Sequence, residues 1–94
     1  MGENKIIWST SAIQDLKDAF DFISINHPRA AHEFLERVPH RIKQLGQFPQ
    51  LGSVVPDGGF QLIVDNYRIF YDYEINEGKV SILHIKHSRQ SIEE

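Results

Sequence analysis

The sequence predicts an α+β domain in which an N-terminal strand and an αα-hairpin pack on a three- to four-stranded antiparallel sheet. Apolar residues recur at helical spacing in the first half of the chain, and three β-rich runs separated by short turns fill the second half. The 94 residues contain no repeat, no low-complexity tract and no long linker. A chain of this length is expected to fold as one domain over residues 1–94.

The first elements are a short strand and an amphipathic helix. Residues 5–9 form a β-branched and aromatic run, which predicts a strand. Ser11 and Gln14 have the S-x-x-Q form of a capping box, so a helix is expected to start at Ser11. Apolar residues three and four positions apart then form one stripe, made of Ile13, Leu16, Phe20 and Ile23.

A second helix is expected from Pro28, because proline suits the first helical turn and the residue before it avoids helical geometry. Pro39 removes a backbone donor inside this helix and clashes with the carbonyl of Leu35, which predicts a kink or a break. Gly46 marks the end of the helix. The apolar stripe consists of Ala31, Phe34, Leu35, Val38, Ile42 and Leu45.

The remaining chain reads as strands joined by tight turns. The strand candidates are residues 60–64, 67–75 and 80–86. The connections at 65–66 and 76–78 are too short for crossovers, so neighbouring strands must be antiparallel.

Side chains alternate between the faces of a strand, which assigns each residue to a face. The middle strand places Tyr67, Ile69, Tyr71, Tyr73 and Ile75 on one face and Arg68, Phe70, Asp72 and Glu74 on the other. Strict alternation in the last strand places Ser81, Leu83 and Ile85 together and Ile82, His84 and Lys86 on the opposite face. With the helices on the more apolar face, Arg68 is expected on an open face with His84 and Lys86. His87 and Arg89 are then expected to turn back towards that face.

Residues 84–89 form the densest basic stretch of an otherwise acidic chain. RNA cleavage by internal attack needs a base, an acid and a cation beside the phosphorane, and histidine and arginine suit these roles. The segment is therefore compatible with phosphodiester chemistry at His84, His87 and Arg89, together with Arg68. The structural alternative is a solvated strand edge whose charges discourage edge pairing. Arg68 has its own alternative, an ion pair with Asp72 or a cross-strand glutamate.

Composition narrows the classes of function. A net charge of -3 and a sequence pI near 5.9 disfavour broad coating of nucleic acid. The chain has no cysteine for a thiolate zinc site, and its five scattered histidines do not form a ligand motif, so no metal or cofactor is expected. No apolar run is long enough to span a membrane and the N-terminus lacks a signal-peptide pattern, so a cytoplasmic protein with no membrane association is expected.

Several short motifs follow one another along nearly the whole chain. They are Trp8 in the first strand, Ala12-x-x-Asp15-Leu16, Pro28-x-Ala30-Ala31, Leu45-x-x-x-Pro49-x-x-Gly52, Tyr67-Arg68-Ile69-x-Tyr71 and His87-x-Arg89. This order resembles the RelE/ParE superfamily, the toxin halves of bacterial type II toxin–antitoxin modules. The long hairpin and the paired alanines look closest to the ParE branch, whose members are often labelled plasmid-stabilisation proteins.

The resemblance implies two alternative activities. ParE-like members poison DNA gyrase and are not enzymes. RelE-like members are endoribonucleases that cleave mRNA on the ribosome. A RelE-like chain would use Arg68, His84, His87 and Arg89 as catalytic residues. No aromatic residue follows Tyr73, so the C-terminal tyrosine of several ribonuclease members is missing.

The leading hypothesis is a ParE-like toxin that inhibits growth through DNA gyrase. A cognate antitoxin would neutralise it by folding as helix and strand onto the hairpin and the sheet. One alternative is a RelE-like, ribosome-dependent mRNA endonuclease, and another is a degenerate, non-toxic member that only binds antitoxin. A homodimer and a toxin–antitoxin hetero-oligomer are both compatible with the sequence.

Overall fold

The computed structural model describes residues 2–89 and has the expected α+β architecture. Its elements are β1 (Lys5–Trp8), α1 (Thr10–Asn26), α2 (Pro28–Gln44), β2 (Ser53–Val54), β3 (Phe60–Val64), β4 (Tyr67–Glu74), a 3-10 turn (Ile75–Glu77) and β5 (Lys79–His87).

Among the described residues the sheet has five strands in the order β1-β5-β4-β3-β2, somewhat more than the three or four expected. The two-residue β2 adds one edge, and β1 forms the other edge beside β5. β1 runs parallel to β5, so the sheet is mixed, whereas β2 to β5 are antiparallel as expected. The parallel pairing is possible because the helical hairpin lies between these two strands in sequence and serves as the crossover.

Ser9, rather than Ser11, begins the first helix. Its backbone is extended, and its Oγ accepts a hydrogen bond from the Ala12 backbone N–H at 2.9 Å. The same hydroxyl donates to the Leu83 carbonyl at 2.9 Å. The start predicted at Ser11 is therefore wrong. Ser9 caps α1, and its backbone N–H also extends the pairing of β1 with β5 by donating to the Ile82 carbonyl.

α2 runs through Pro39 as one helix, so a break at this proline does not occur. Pro28 occupies the first turn, as expected. Val38 and Ile42 flank the proline and are almost fully buried. Burying such side chains contributes about 1.5–3 kcal/mol each, which offsets the roughly 3 kcal/mol that an internal proline costs.

The core lies between the two helices and the inward face of the sheet. Ile69 and Tyr71 have no exposed surface, as the alternation predicted for the middle strand requires, and Val80 on β5 is equally buried. The rings of Phe34 on α2 and Tyr67 on β4 pack with their centroids 4.9 Å apart. These contacts hold one face of the sheet against the helices, and the opposite face remains open.

A β-bulge in β5 changes the predicted face of Ile82. Phe70 pairs with His84 but Tyr71 pairs with Ile82, which leaves Leu83 as an extra residue. Ile82 is consequently buried on the helix side with Ile85. The assignment of Ile82 to the face of His84 and Lys86 was wrong because strict alternation does not hold across a bulge.

The Tyr71 hydroxyl ties the loop after α2 to the sheet. It donates to the Pro49 carbonyl at 2.8 Å and accepts from the Gly52 backbone N–H at 2.9 Å. Gly52 also lies so close to β3 that a Cβ atom would overlap the Gln61 carbonyl. Residues 49–52 are thus held against β3 and β4 at a position where only glycine fits.

We expect the fold to lose stability in alkali. Burial raises the pKa of the Tyr67 and Tyr71 phenols above 10.0, and the Gly52 hydrogen bond only partly opposes this for Tyr71. The hydrogen bond to Glu74 raises the pKa of Lys79 above 10.5. Because the unfolded chain releases these protons at lower pH than the folded chain, stability is complete below about pH 10 and falls as the pH rises through the folded pKa values.

Urea titrations at about pH 8, pH 10 and pH 11 measure this alkaline loss. The midpoint should stay constant up to about pH 10 and then fall, and the fall should be smaller in Tyr71→Phe, which lacks one of the buried phenols. Equal midpoints at the lowest and highest pH would show that these groups titrate alike in both states.

Candidate functional site

Part of the predicted basic site forms a patch on the open face of the sheet. Arg68 on β4 lies directly opposite Lys86 on β5 and Ile63 on β3. The Arg68 guanidinium carbon is 5.6 Å from the centroid of the Phe70 ring, which is a cation–π distance. We refer to Ile63, Arg68, Phe70 and Lys86 as the open-face patch.

His87 and Arg89 lie on the helix side and do not turn back towards this patch. His87 pairs with Tyr67, and the two rings meet edge to face with their centroids 5.1 Å apart. The Arg89 backbone N–H donates to Nδ1 of His87 at 3.0 Å, so the neutral imidazole carries its proton on Nε2. The expectation that both residues share the face of Arg68 was therefore wrong.

His84 lies at the sheet edge beside a carboxylate of α1. Its Nδ1 is 3.4 Å from Oδ2 of Asp15, and the same oxygen accepts from the Ile85 backbone N–H at 2.9 Å. β1 ends at Trp8 and does not reach Ile85. The Asp15 carboxylate therefore accepts the Ile85 hydrogen bond that a longer β1 would accept. The His84 side chain is thus held against α1 at the end of the pairing between β1 and β5.

A groove of about 540 Å³, here called the α1 groove, separates α1 from the ends of β4 and β5. Buried surfaces of Ala19, Tyr67 and Ile85 form its floor. Phe22 stands at its side with 71% of its surface exposed. The remaining lining residues are charged or titratable and comprise Asp15 and Asp18 on α1 and His87 and Arg89 at the end of β5.

A second groove of about 510 Å³, here called the loop groove, lies near the opposite end of β4. Its lining is mostly apolar and uncharged. Phe48 and Leu51 contribute from the loop after α2, and Ile75 contributes from the 3-10 turn. The other lining residues are Gln47, Pro49, Gln50 and Tyr73.

The four candidate catalytic residues thus do not converge on one point. Arg68 belongs to the open-face patch, and His84 pairs with Phe70 of this patch while its ring contacts Asp15 on α1. His87 lines the α1 groove beside Arg89. Within residues 2–89, no cluster of three or more histidine, aspartate or glutamate side chains could hold a metal ion. Neither helix in the described part of the chain is long and apolar enough to cross a membrane.

The family model for the ParE toxin of type II toxin-antitoxin system, parDE, matches residues 6–92. The chain belongs to this family. The match confirms the resemblance drawn from the sequence motifs, and it spans every strand and helix apart from the first residue of β1. No curated protein matches the sequence.

Solved structures share the fold of this ParE-family chain. The chromosomal ParDE toxin–antitoxin system from P. aeruginosa superposes with a TM-score of 0.75 at 20% identity, covering 90% of this chain and 96% of that one. The RelBE2 toxin–antitoxin complex from Mycobacterium tuberculosis gives 0.63 at 21%, covering 90% and 98%. The isolated E. coli RelE toxin gives 0.60 at 13%, covering 95% and 88%. At these identities the similarity concerns the fold.

Sequence reasoning named His87 and Arg89, which line the α1 groove, but it missed Phe22 and the apolar lining of the loop groove. Phe22 lies outside the apolar stripe that contains Phe20 and Ile23. A large apolar residue outside the stripe indicates a second apolar surface on the helix, and this signal was present in the sequence. Asp15 was named in the sequence only as part of the Ala12-x-x-Asp15-Leu16 motif. Its contact with β5 depends on where β1 ends, which local sequence does not specify.

Proposed function

We propose that this ParE-family chain is a growth-inhibiting toxin that acts on DNA gyrase and is neutralised by a cognate antitoxin. The family match over residues 6–92 supports the toxin assignment. The fold shared with the P. aeruginosa ParDE system and the M. tuberculosis RelBE2 complex supports an antitoxin as the partner.

The separation of Arg68 from His87 is the observation that favours DNA gyrase over RNA as the target. Internal cleavage needs a base, an acid and a phosphorane-stabilising cation around a single phosphodiester. Arg68 lies on the open face whereas His87 lies on the helix side, so the sheet stands between this cation and this histidine. The acidic net charge of -3 likewise favours a protein target over docking among ribosomal phosphates.

The α1 groove is the proposed binding site of the antitoxin. Its floor of Ala19, Tyr67 and Ile85 is apolar, and the exposed Phe22 extends that apolar surface towards solvent. Ile25, one helical turn further on, is also exposed. An antitoxin segment that is disordered when free could fold here as an amphipathic element and bury these side chains.

Induced expression tests the toxin assignment. The chain expressed alone is expected to arrest growth, and co-expression with the product of the neighbouring gene is expected to restore it. Equal growth of both cultures and of an empty-vector control would contradict toxicity and would fit the degenerate member that only binds antitoxin.

The open-face patch supports the second candidate function, a RelE-like mRNA endonuclease. Arg68 over the Phe70 ring, with Lys86 opposite, combines cations and an aromatic face as single-stranded RNA sites do. Primer extension on translating ribosomes tests this candidate. Cleavage by the wild type that disappears in Arg68→Ala would favour the endonuclease.

A further inference from the structure

We propose that the loop groove is a second docking surface, through which the toxin contacts its protein target. The complementary site on the target would present an apolar side chain flanked by lysine or arginine. This inference rests on the proposed function in one respect, because it requires that the target is a protein.

The loop groove exposes large apolar side chains that the fold does not use. Phe48, Leu51 and Ile75 are 57%, 44% and 68% exposed and lie together around the half-buried Tyr73. At full side-chain areas of roughly 150–200 Å², their exposed parts total about 300 Å². A patch of about 300 Å² is in the range of the largest apolar patch on a typical monomer, and such patches are often functional.

The loop that carries these side chains is held in place. Tyr71 bonds both Pro49 and Gly52 from the sheet side. Within the loop, the backbone N–H of Phe48 donates to the Gln44 carbonyl at 2.8 Å and that of Leu51 donates to the Phe48 carbonyl at 3.0 Å. A preorganised loop loses little conformational entropy on binding, so the exposed apolar area can contribute to affinity.

The connection between β4 and β5, which contributes Ile75 to the loop groove, also carries an excess of acidic charge that indicates the kind of partner. Glu74 and Glu77 flank Ile75, and Lys79 bonds them at 3.2 and 3.4 Å, which leaves this cluster one negative charge in excess. A twofold contact between two copies would bring two such clusters together. A different protein with cations around an apolar anchor fits better than a second copy.

The loop groove lies apart from the α1 groove. Tyr67 lines the α1 groove and Tyr73 lines the loop groove, six residues further along β4. At about 3.3 Å per residue, the strand separates the two grooves by roughly 20 Å. A side chain can therefore be changed in one groove without altering the other.

Phe48→Asp tests the docking surface, with Ile13→Asp as a control because Ile13 is 55% exposed on α1 and lines neither groove. Each variant is expressed at the level of the wild type, and surviving colonies and binding to the co-encoded antitoxin are measured. We expect Phe48→Asp to raise survival about tenfold or more while antitoxin binding stays within about twofold. Ile13→Asp should behave as the wild type in both assays.

Two results would overturn the docking surface. The first is a Phe48→Asp variant that kills as efficiently as the toxic wild type. The second is loss of toxicity and antitoxin binding together in both Phe48→Asp and the milder Leu51→Ser, because the loop would then serve folding or the antitoxin. A wild type without toxicity would instead contradict the proposed function, from which this surface follows, so the two failures are distinguishable.

Discussion

Phe22→Asp is expected to abolish rescue by the antitoxin while growth inhibition persists. Phe22 is 71% exposed beside the apolar floor of the α1 groove, so the substitution costs the isolated toxin little. In the complex, a carboxylate would replace an aromatic anchor at a desolvated surface. Losing such an anchor typically costs about 2 kcal/mol or more, which weakens binding by about 30-fold. Titration of purified toxin with antitoxin measures the change in Kd.

Val54→Asp is the matched control for this prediction. Val54 is 74% exposed on β2 and lines neither groove, so it places the same charge on an equally exposed apolar position. Its Kd for the antitoxin should remain close to that of the wild type. Unchanged antitoxin affinity in Phe22→Asp would exclude the α1 groove as the antitoxin binding site.

Tyr71→Ala is expected to give the largest loss of stability among single substitutions at the sheet. The side chain is fully buried, stacks on Phe60 with ring centroids 5.2 Å apart, and bonds Pro49 and Gly52. Truncating a buried aromatic residue costs about 3–5 kcal/mol, and small domains have only about 5–15 kcal/mol in total. Urea unfolding followed by circular dichroism should show a midpoint far below that of the wild type.

Tyr71→Phe isolates the contribution of the hydroxyl. The ring and its stacking remain, but the Gly52 N–H and the Pro49 carbonyl each lose a partner. The expected cost is about 1–3 kcal/mol, clearly less than for alanine. If both variants lost the same free energy of unfolding, the packing of the ring would contribute nothing, contrary to its complete burial.

Local signals predicted much of this fold. Pro28 begins α2 because proline favours the first turn of any helix, whatever surrounds it. The alternation of Tyr67, Arg68 and Ile69 predicted the buried and open faces of β4 because this strand is regular. The order of the short motifs then indicated the family, which the match over residues 6–92 confirms.

The features that were not predicted depend on contacts between distant residues. The bulge at Leu83 arises from the pairing of β5 with β4, and it brings Ile82 to the buried side. Ser9 was preferred over Ser11 as the helix cap because Ser9 also bonds the carbonyl of Leu83, 74 positions away in sequence. The positions of His87 and Arg89 follow from the same strand, which is why the candidate catalytic set divides between two faces.

A direct assay of target tests the proposed activity. Purified toxin is incubated with DNA gyrase and supercoiled plasmid, and in parallel with ribosomes translating a reporter mRNA. We expect cleaved gyrase–DNA complexes to accumulate while the mRNA stays intact, and Arg68→Ala to leave the gyrase result unchanged. Cleavage of the mRNA that disappears in Arg68→Ala, with gyrase unaffected by the wild type, would contradict the account.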